Sequence, residues 1–175
     1  MIEVKKLERD QWKNYELKFS YDTDGYYSFK VYDWDFQLIF HPYETVINKT
    51  FTSHLFEEWW EAPMAFGAFD NNNLTGVVEC FLESWSNRLR ITNLLVFEDF
   101  RNQGIGKLLI DKALEMALNN NARMVALETQ SCNRKAIDFY IRMGFLPIGF
   151  DLYCYTNHDP DKTEVRLEMA RRLVP

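Results

Sequence analysis

The residues best suited to chemistry stand in one short run, Arg101, Asn102, Gln103, Gly104, Ile105, Gly106 and Lys107. Apolar Leu94, Leu95, Val96 and Phe97 come before it and an amphipathic segment to Leu118 comes after. This pattern reads as a strand, a glycine-bearing turn and a helix. Such a junction aims unpaired backbone N–H groups and the positive end of a helix dipole at one point, which suits a phosphate. Residue types exclude two other phosphate loops: a P-loop needs Gly where Arg101 stands and Ser or Thr where Leu108 stands, and a dinucleotide fingerprint needs a small residue where Leu109 stands. What remains is Arg-x-x-Gly-x-Gly at a strand-to-helix joint. On their own, Gly104 and Gly106 also fit a plain turn and close helix packing.

The elements that must position this turn follow from periodicity. Ile2–Leu7 reads as a strand, and Trp12, Tyr15 and Phe19 fall at helical spacing, predicting a helix over 8–19. Residues 21–41 are aromatic, acidic and irregular, with alternation over 28–40 that fits strand or extended loop. Phe51, Leu55, Phe56, Trp59 and Trp60 share about one helical face, predicting a helix over 44–60 that Pro63 ends. Strands are predicted over 64–69, 74–85 and 89–97, the first two joined by the turn Asp70, Asn71, Asn72, Asn73. The helix from 104 to 118 turns Ile105, Leu108, Leu109, Ala113 and Met116 inward, and Asn119, Asn120 and Asn121 stop it. A strand over 124–129 runs parallel to 89–97, because a helix makes the crossover. Asn133 caps a helix with Ala136, Ile137, Tyr140 and Ile141 inward and Gly144 as its stop. Strands over 145–155 and 164–169, with a polar turn over 157–162, complete the chain.

Two motifs together carry a family resemblance. Arg101 to Gly106 is similar to the pyrophosphate-binding signature of the GNAT superfamily of N-acetyltransferases, and Asn133, Ala136, Phe139, Tyr140, Gly144 and Phe145 match its Asn-x-x-Ala-x-x-Phe-Tyr-x-x-x-Gly-Phe pattern. The segments around Glu128 and from Gly149 to Tyr155 resemble streptothricin acetyltransferases, which modify an amine of a polycationic antibiotic. The resemblance implies a single acyl-CoA N-acyltransferase domain over 1–175: a mixed, mostly antiparallel central sheet of six to seven strands flanked by helices, an α/β (α+β) class. It implies acetyl-CoA as co-substrate, held by residues 101–107, with Asn133 on the pantetheine arm and Tyr140 near the sulfur, and with Ala136 and Phe139 in the same motif.

With 175 residues the chain is about one domain, and a net charge of −6 with no basic cluster argues against nucleic acid. No apolar run is long enough for a membrane span, and the first residues lack a signal peptide's apolar stretch, so the cytoplasm is the expected compartment. Cys80, Cys132 and Cys154 lie far apart and read as reduced thiols; His41, His54 and His158 show no ligand spacing, and no metal is expected. A monomer or homodimer fits this composition.

Direct transfer from a thioester to an amine needs three things. A carboxylate must take the amine's proton, with Glu79, Glu83 and Glu128 as candidates. Backbone N–H groups of Leu94, Leu95 and Val96 must polarise the carbonyl, and an acid, Tyr140, must protonate the thiolate. Each glutamate also fits a solvated strand position. Carboxylates beside aromatic rings, notably Asp33, Trp34, Asp35, Trp59 and Trp60, suit a cationic acceptor by charge and cation–π contact, and equally suit an acidic loop over an aromatic core. A small cationic amine is the leading acceptor; a protein or peptide amine, and a non-catalytic acyl-CoA sensor, are the alternatives.

Overall fold

The computed structural model describes residues 1–173 as β1 (Ile2–Leu7), α1 (Arg9–Trp12), β2 (Glu16–Tyr32), β3 (Asp35–His54), β4 (Met64–Asp70), β5 (Asn73–Glu83), β6 (Arg88–Val96), α2 (Ile105–Asn119), β7 (Met124–Gln130), α3 (Arg134–Arg142), β8 (Leu146–Asp151) and β9 (Arg166–Arg172). Seven strands form one sheet, ordered β1-β4-β5-β6-β7-β9-β8, while β2 and β3 pair as a separate ribbon. The mixed, mostly antiparallel sheet matches the expected class. The chain divides into two units interleaved in sequence, the first holding residues 1–19, 52–127 and 171–173, the second 20–51 and 128–170. No helix among the described residues is long and apolar enough to cross a membrane.

In the first unit, β1, β4, β5 and β6 pair antiparallel in succession, and β6 pairs parallel with β7 from Arg88↔Met124 to Ile91↔Leu127. The α2 crossover between β6 and β7 makes that parallel pairing possible. Leu7, Leu17, Leu55, Phe56, Ala65, Val77 and Leu95 form one core, and α2 covers the sheet with Ile105, Leu109, Ile110, Ala113, Leu114, Met116 and Ala117. Leu108, expected inward, is exposed: the buried arc centres on Leu109, Ala113 and Ala117, and Leu108 lies outside it. The asparagine stop has a physical form. Asn121 adopts φ 53, its N–H donates to Leu118 O at 3.0 Å, and Ala122 N–H donates to Ala117 O at 2.9 Å, a Schellman ending built on asparagine.

One predicted helix is cut to a single turn and another is absent. Residues 8–19 hold only the four-residue α1, after which the chain enters β2 at Glu16; residues 44–54 belong to β3, and 55–60 form turns. The apolar spacing mimicked a helix face, but Thr45, Val46, Ile47, Thr50 and Thr52 are β-branched and favour extended backbone once a partner strand is present.

A two-stranded ribbon this long is marginal by itself. In the second unit Tyr27 N–H donates to Ser131 O at 3.0 Å, Lys49 Nζ to Glu164 at 2.7 Å, and Phe29 stacks on Phe150 at 4.4 Å. The strand that starts this unit's sheet edge, β8, pairs antiparallel with β9.

Candidate active site

The phosphate-type turn lies in the first unit. After Val96 a single 3-10 turn over Glu98–Phe100 leads to Arg101, whose Nε donates to Val96 O at 3.2 Å, while Gln103 Nε2 donates to Asp99 O at 3.1 Å. Gly104 caps α2 at φ 82, a left-handed conformation that Cβ-bearing residues adopt only at a cost, and no side chain caps the helix. A Cβ added at Gly104 would meet nothing within 4 Å, so the turn opens onto free space. The first N–H groups of α2, at Ile105, Gly106 and Lys107, have no intrahelical acceptor. Ile105 is buried and can contribute only backbone, and the Lys107 side chain pairs along the helix with Asp111.

β6 itself is interrupted once. Glu79 faces Asn93 and Cys80 faces Ile91, so Thr92 is an extra residue, a β-bulge at the point where the β6–β7 register ends. Phe97 N–H donates to Thr75 O at 3.0 Å. The period of two then turns the Leu95 N–H toward β5 and the Leu94 and Val96 N–H groups toward the opposite edge.

The three candidate carboxylates occupy different environments. Glu79 is fully buried and accepts Phe56 N–H at 2.6 Å, Thr92 Oγ1 at 2.7 Å and Asn93 Nδ2 at 2.8 Å. Glu83 binds Arg88 and Arg90, each at 2.6 Å, and Ser86 at 2.8 Å. Burial pushes its carboxyl up, but the hydrogen bonds from Arg90, Ser86 and Arg88 outweigh this and hold it below the usual range. Glu128, in the second unit, is exposed; Arg166 Nη2 lies 2.8 Å from Oε2 and the Tyr155 hydroxyl donates to Oε1 at 3.3 Å.

Also in the second unit, Asn133 Oδ1 accepts Ala136 N–H at 3.3 Å and so caps α3. Ile137 and Tyr140 face inward, whereas Ile141, expected inward, is exposed. Gly144, at φ 84, ends the helix: its N–H donates to Ile141 O and Phe145 N–H donates to Tyr140 O, both at 2.9 Å. The Tyr140 ring packs between Phe139 and Phe145 at 5.5 and 5.9 Å, and burial pushes its hydroxyl up to about 12. Tyr140 is therefore protonated at neutral pH and able to donate. Cys132 is buried beside the Tyr21 hydroxyl, which also donates to Gln130 at 2.7 Å. Burial pushes the Cys132 thiol up, against the opposing hydrogen bond of Tyr21.

The expected acceptor residues fall in two places. Asp33 (φ 49), Trp34 and Asp35 form the exposed tip of the β2–β3 ribbon, with Trp34 92% exposed. Trp59 is 70% exposed in the first unit and Trp60 stacks on Phe81 at 5.0 Å. Asp22 and Asp24 are paired, Asp24 with Arg134 at 2.8 Å and Asp22 with Asn48 at 2.9 Å. Sequence reasoning did not single out Arg166, which pairs with Glu128, or Asp159, which accepts Tyr155 N–H from within the polar turn; Tyr155, the donor to Glu128, was marked only as the end of the Gly149–Tyr155 segment of the resemblance.

The model of the acetyltransferase (GNAT) family matches residues 28–145. Streptothricin acetyltransferase A of Bacillus subtilis is 31% identical over 107 residues, which cover 61% of this chain and 61% of that protein. N-alpha-acetyltransferase 30 of Schizosaccharomyces pombe is 31% identical over 107 residues, covering 59% of this chain and 67% of that one. The crystal structure of nourseothricin acetyltransferase superposes with a TM-score of 0.80 at 26% identity, over 98% of each chain.

Proposed function

Because the chain belongs to the GNAT family of acetyltransferases, we propose that it moves the acetyl group of acetyl-CoA to an amine of a small cationic molecule of the streptothricin class. The observation that carries the cofactor part is the uncapped α2 N-terminus behind Gly104 at φ 82, an anion cradle of backbone N–H groups. The choice of acceptor draws on the likeness to nourseothricin acetyltransferase, which runs over nearly the whole chain and so takes in the β2–β3 ribbon.

Acetyl-CoA supplies the acetyl group as a thioester. Arg101, Gly104, Ile105, Gly106 and Lys107, with Asn102 and Gln103, form the phosphate turn, and Asn133, Ala136 and Phe139 belong to the pantetheine motif. At pH 7 a lysine-type amine is mainly an ammonium. Glu128, the exposed member of the three carboxylates, takes one of its protons directly or through water. The Leu94 and Val96 N–H groups polarise the carbonyl oxygen as the nitrogen lone pair attacks the carbonyl carbon. As the C–N bond forms and the C–S bond breaks, Tyr140 gives its hydroxyl proton to the sulfur and regains one from the acylated nitrogen. The net products are an amide and a free thiol. On this reading the reaction belongs in the cytoplasm, where the free Cys80, Cys132 and Cys154 stay reduced.

Acetylation of a protein N-terminus is the second reading, favoured by the similarity to N-alpha-acetyltransferase 30. Thiol release from acetyl-CoA, measured across streptothricin, polyamines, aminoglycosides and lysine or N-terminal peptides, tests both. Streptothricin or another polycation should give the highest kcat/KM. A peptide preference would move the assignment to the second reading, and no release with any amine would leave an acyl-CoA sensor.

A further inference from the structure

Of the three carboxylates, Glu79 has its oxygens occupied by three buried donors and Glu83 by two arginines and a serine. Glu128 differs. Each of its oxygens has one donor, Arg166 on Oε2 and Tyr155 on Oε1, so the carboxylate plane is fixed while lone pairs on both oxygens stay available.

Both donors are themselves held. Tyr155 N–H donates to Asp159 Oδ2 at 2.7 Å, and Thr156 Oγ1 donates to Asp159 Oδ1 at 2.6 Å, which locks the turn that carries the Tyr155 ring. Asp159 is 1% exposed. Arg166 donates through Nη1 to Cys154 Sγ at 3.2 Å and through Nη2 to Glu168 as well as Glu128. Its Nε is buried and has no hydrogen-bond partner among the described residues. Leaving a buried donor unmade is costly. The guanidinium orientation therefore follows from the three groups its other nitrogens engage, Glu128 among them.

We propose that Tyr155 and Arg166 are positioning residues for acetyl transfer, holding the two oxygens of Glu128 from opposite partners so that the carboxylate meets the incoming amine in one orientation. This rests on the acetyltransferase reading above and adds to it the residues that act through Glu128. Tyr155 fixes Oε1, and Arg166, with Glu168 and Cys154 behind it, fixes Oε2 and supplies the counter-charge.

Tyr155→Phe keeps the ring and removes one hydrogen bond. The carboxylate then loses the partner that fixes Oε1, and its orientation toward the amine is no longer set. The expected result is a kcat/KM for the acceptor lowered by roughly 3- to 10-fold, with the KM for acetyl-CoA unchanged. In a Glu128→Gln background the same substitution should change nothing further, since the group it acts through is gone. An unchanged kcat/KM for the acceptor, or an equal loss in both backgrounds, overturns the proposal. Failure of the parent reading looks different: the unsubstituted protein would release no thiol from acetyl-CoA with any amine.

Discussion

Glu79 accepts the backbone N–H of Phe56 at 2.6 Å. That bond ties the loop after β3 to the β5–β6 bulge, because the other carboxylate oxygen holds Thr92 and Asn93. Phe56 sits at φ 59, a conformation that an L side chain keeps only when its surroundings dictate it. Glu79→Gln would turn an amide N–H toward one of the donors that now point at an oxygen. The expected loss is about 1–3 kcal/mol of folding free energy, read from the urea midpoint at unchanged slope. A midpoint that does not move would show that the carboxylate is not the clamp described.

The proposed phosphate turn makes a separate prediction. Gly104→Glu should abolish the thermal shift given by acetyl-CoA, by crowding the cradle and repelling phosphate, while the folded protein persists. In the unsubstituted protein, ligand at about 100 times its Kd should add roughly 2.7 kcal/mol. Gly104→Ala separates the two effects: the Cβ has room, so its expected cost is only the left-handed backbone, roughly 1–2 kcal/mol, with much of the thermal shift retained.

Tyr140→Phe should lower kcat by about 10²-fold or more with little change in acetyl-CoA affinity, as expected for a positioned acid, under conditions where chemistry limits turnover. The same hydroxyl carries a stability signature. Burial raises it to about 12 in the folded chain against about 10 when unfolded, so the unfolded state loses this proton first as pH rises. Its contribution is complete below pH 10 and lost as pH climbs toward about 12. Stability should therefore fall less steeply across that window in Tyr140→Phe, measured by denaturant titration at each pH.

On the proposed reading the ribbon tip takes part in acceptor binding. Asp33 and Asp35 are solvent-exposed beside Trp34, so their attraction to a polycation is long-range and screened. The expected outcome is a kcat/KM that falls with salt, and a larger rise in KM for a polycation than for a monoamine in the Asp33→Asn, Asp35→Asn double variant. Equal effects on both substrates would remove the tip from acceptor binding.

The sequence by itself determined the parts whose physics is local. Gly104 and Gly144 mark backbone positions with positive φ, Asn133 offers the cap oxygen, and the apolar runs predicted as strands over 64–69, 74–85 and 89–97 form β4, β5 and β6. Each depends on a residue and its near neighbours, and each was legible from type and spacing. Tertiary structure decided the rest. The apolar spacing of residues 44–60 fits a helix until a partner strand is available, and pairing with β2 then draws 44–54 into β3. The glutamates at 79, 83 and 128 look alike in sequence, yet one is sealed by three donors, one is bound by two arginines and one lies exposed between Tyr155 and Arg166. A carboxylate's reactivity is set by the donors and solvent around it, and those donors come from strands and turns far away in the chain.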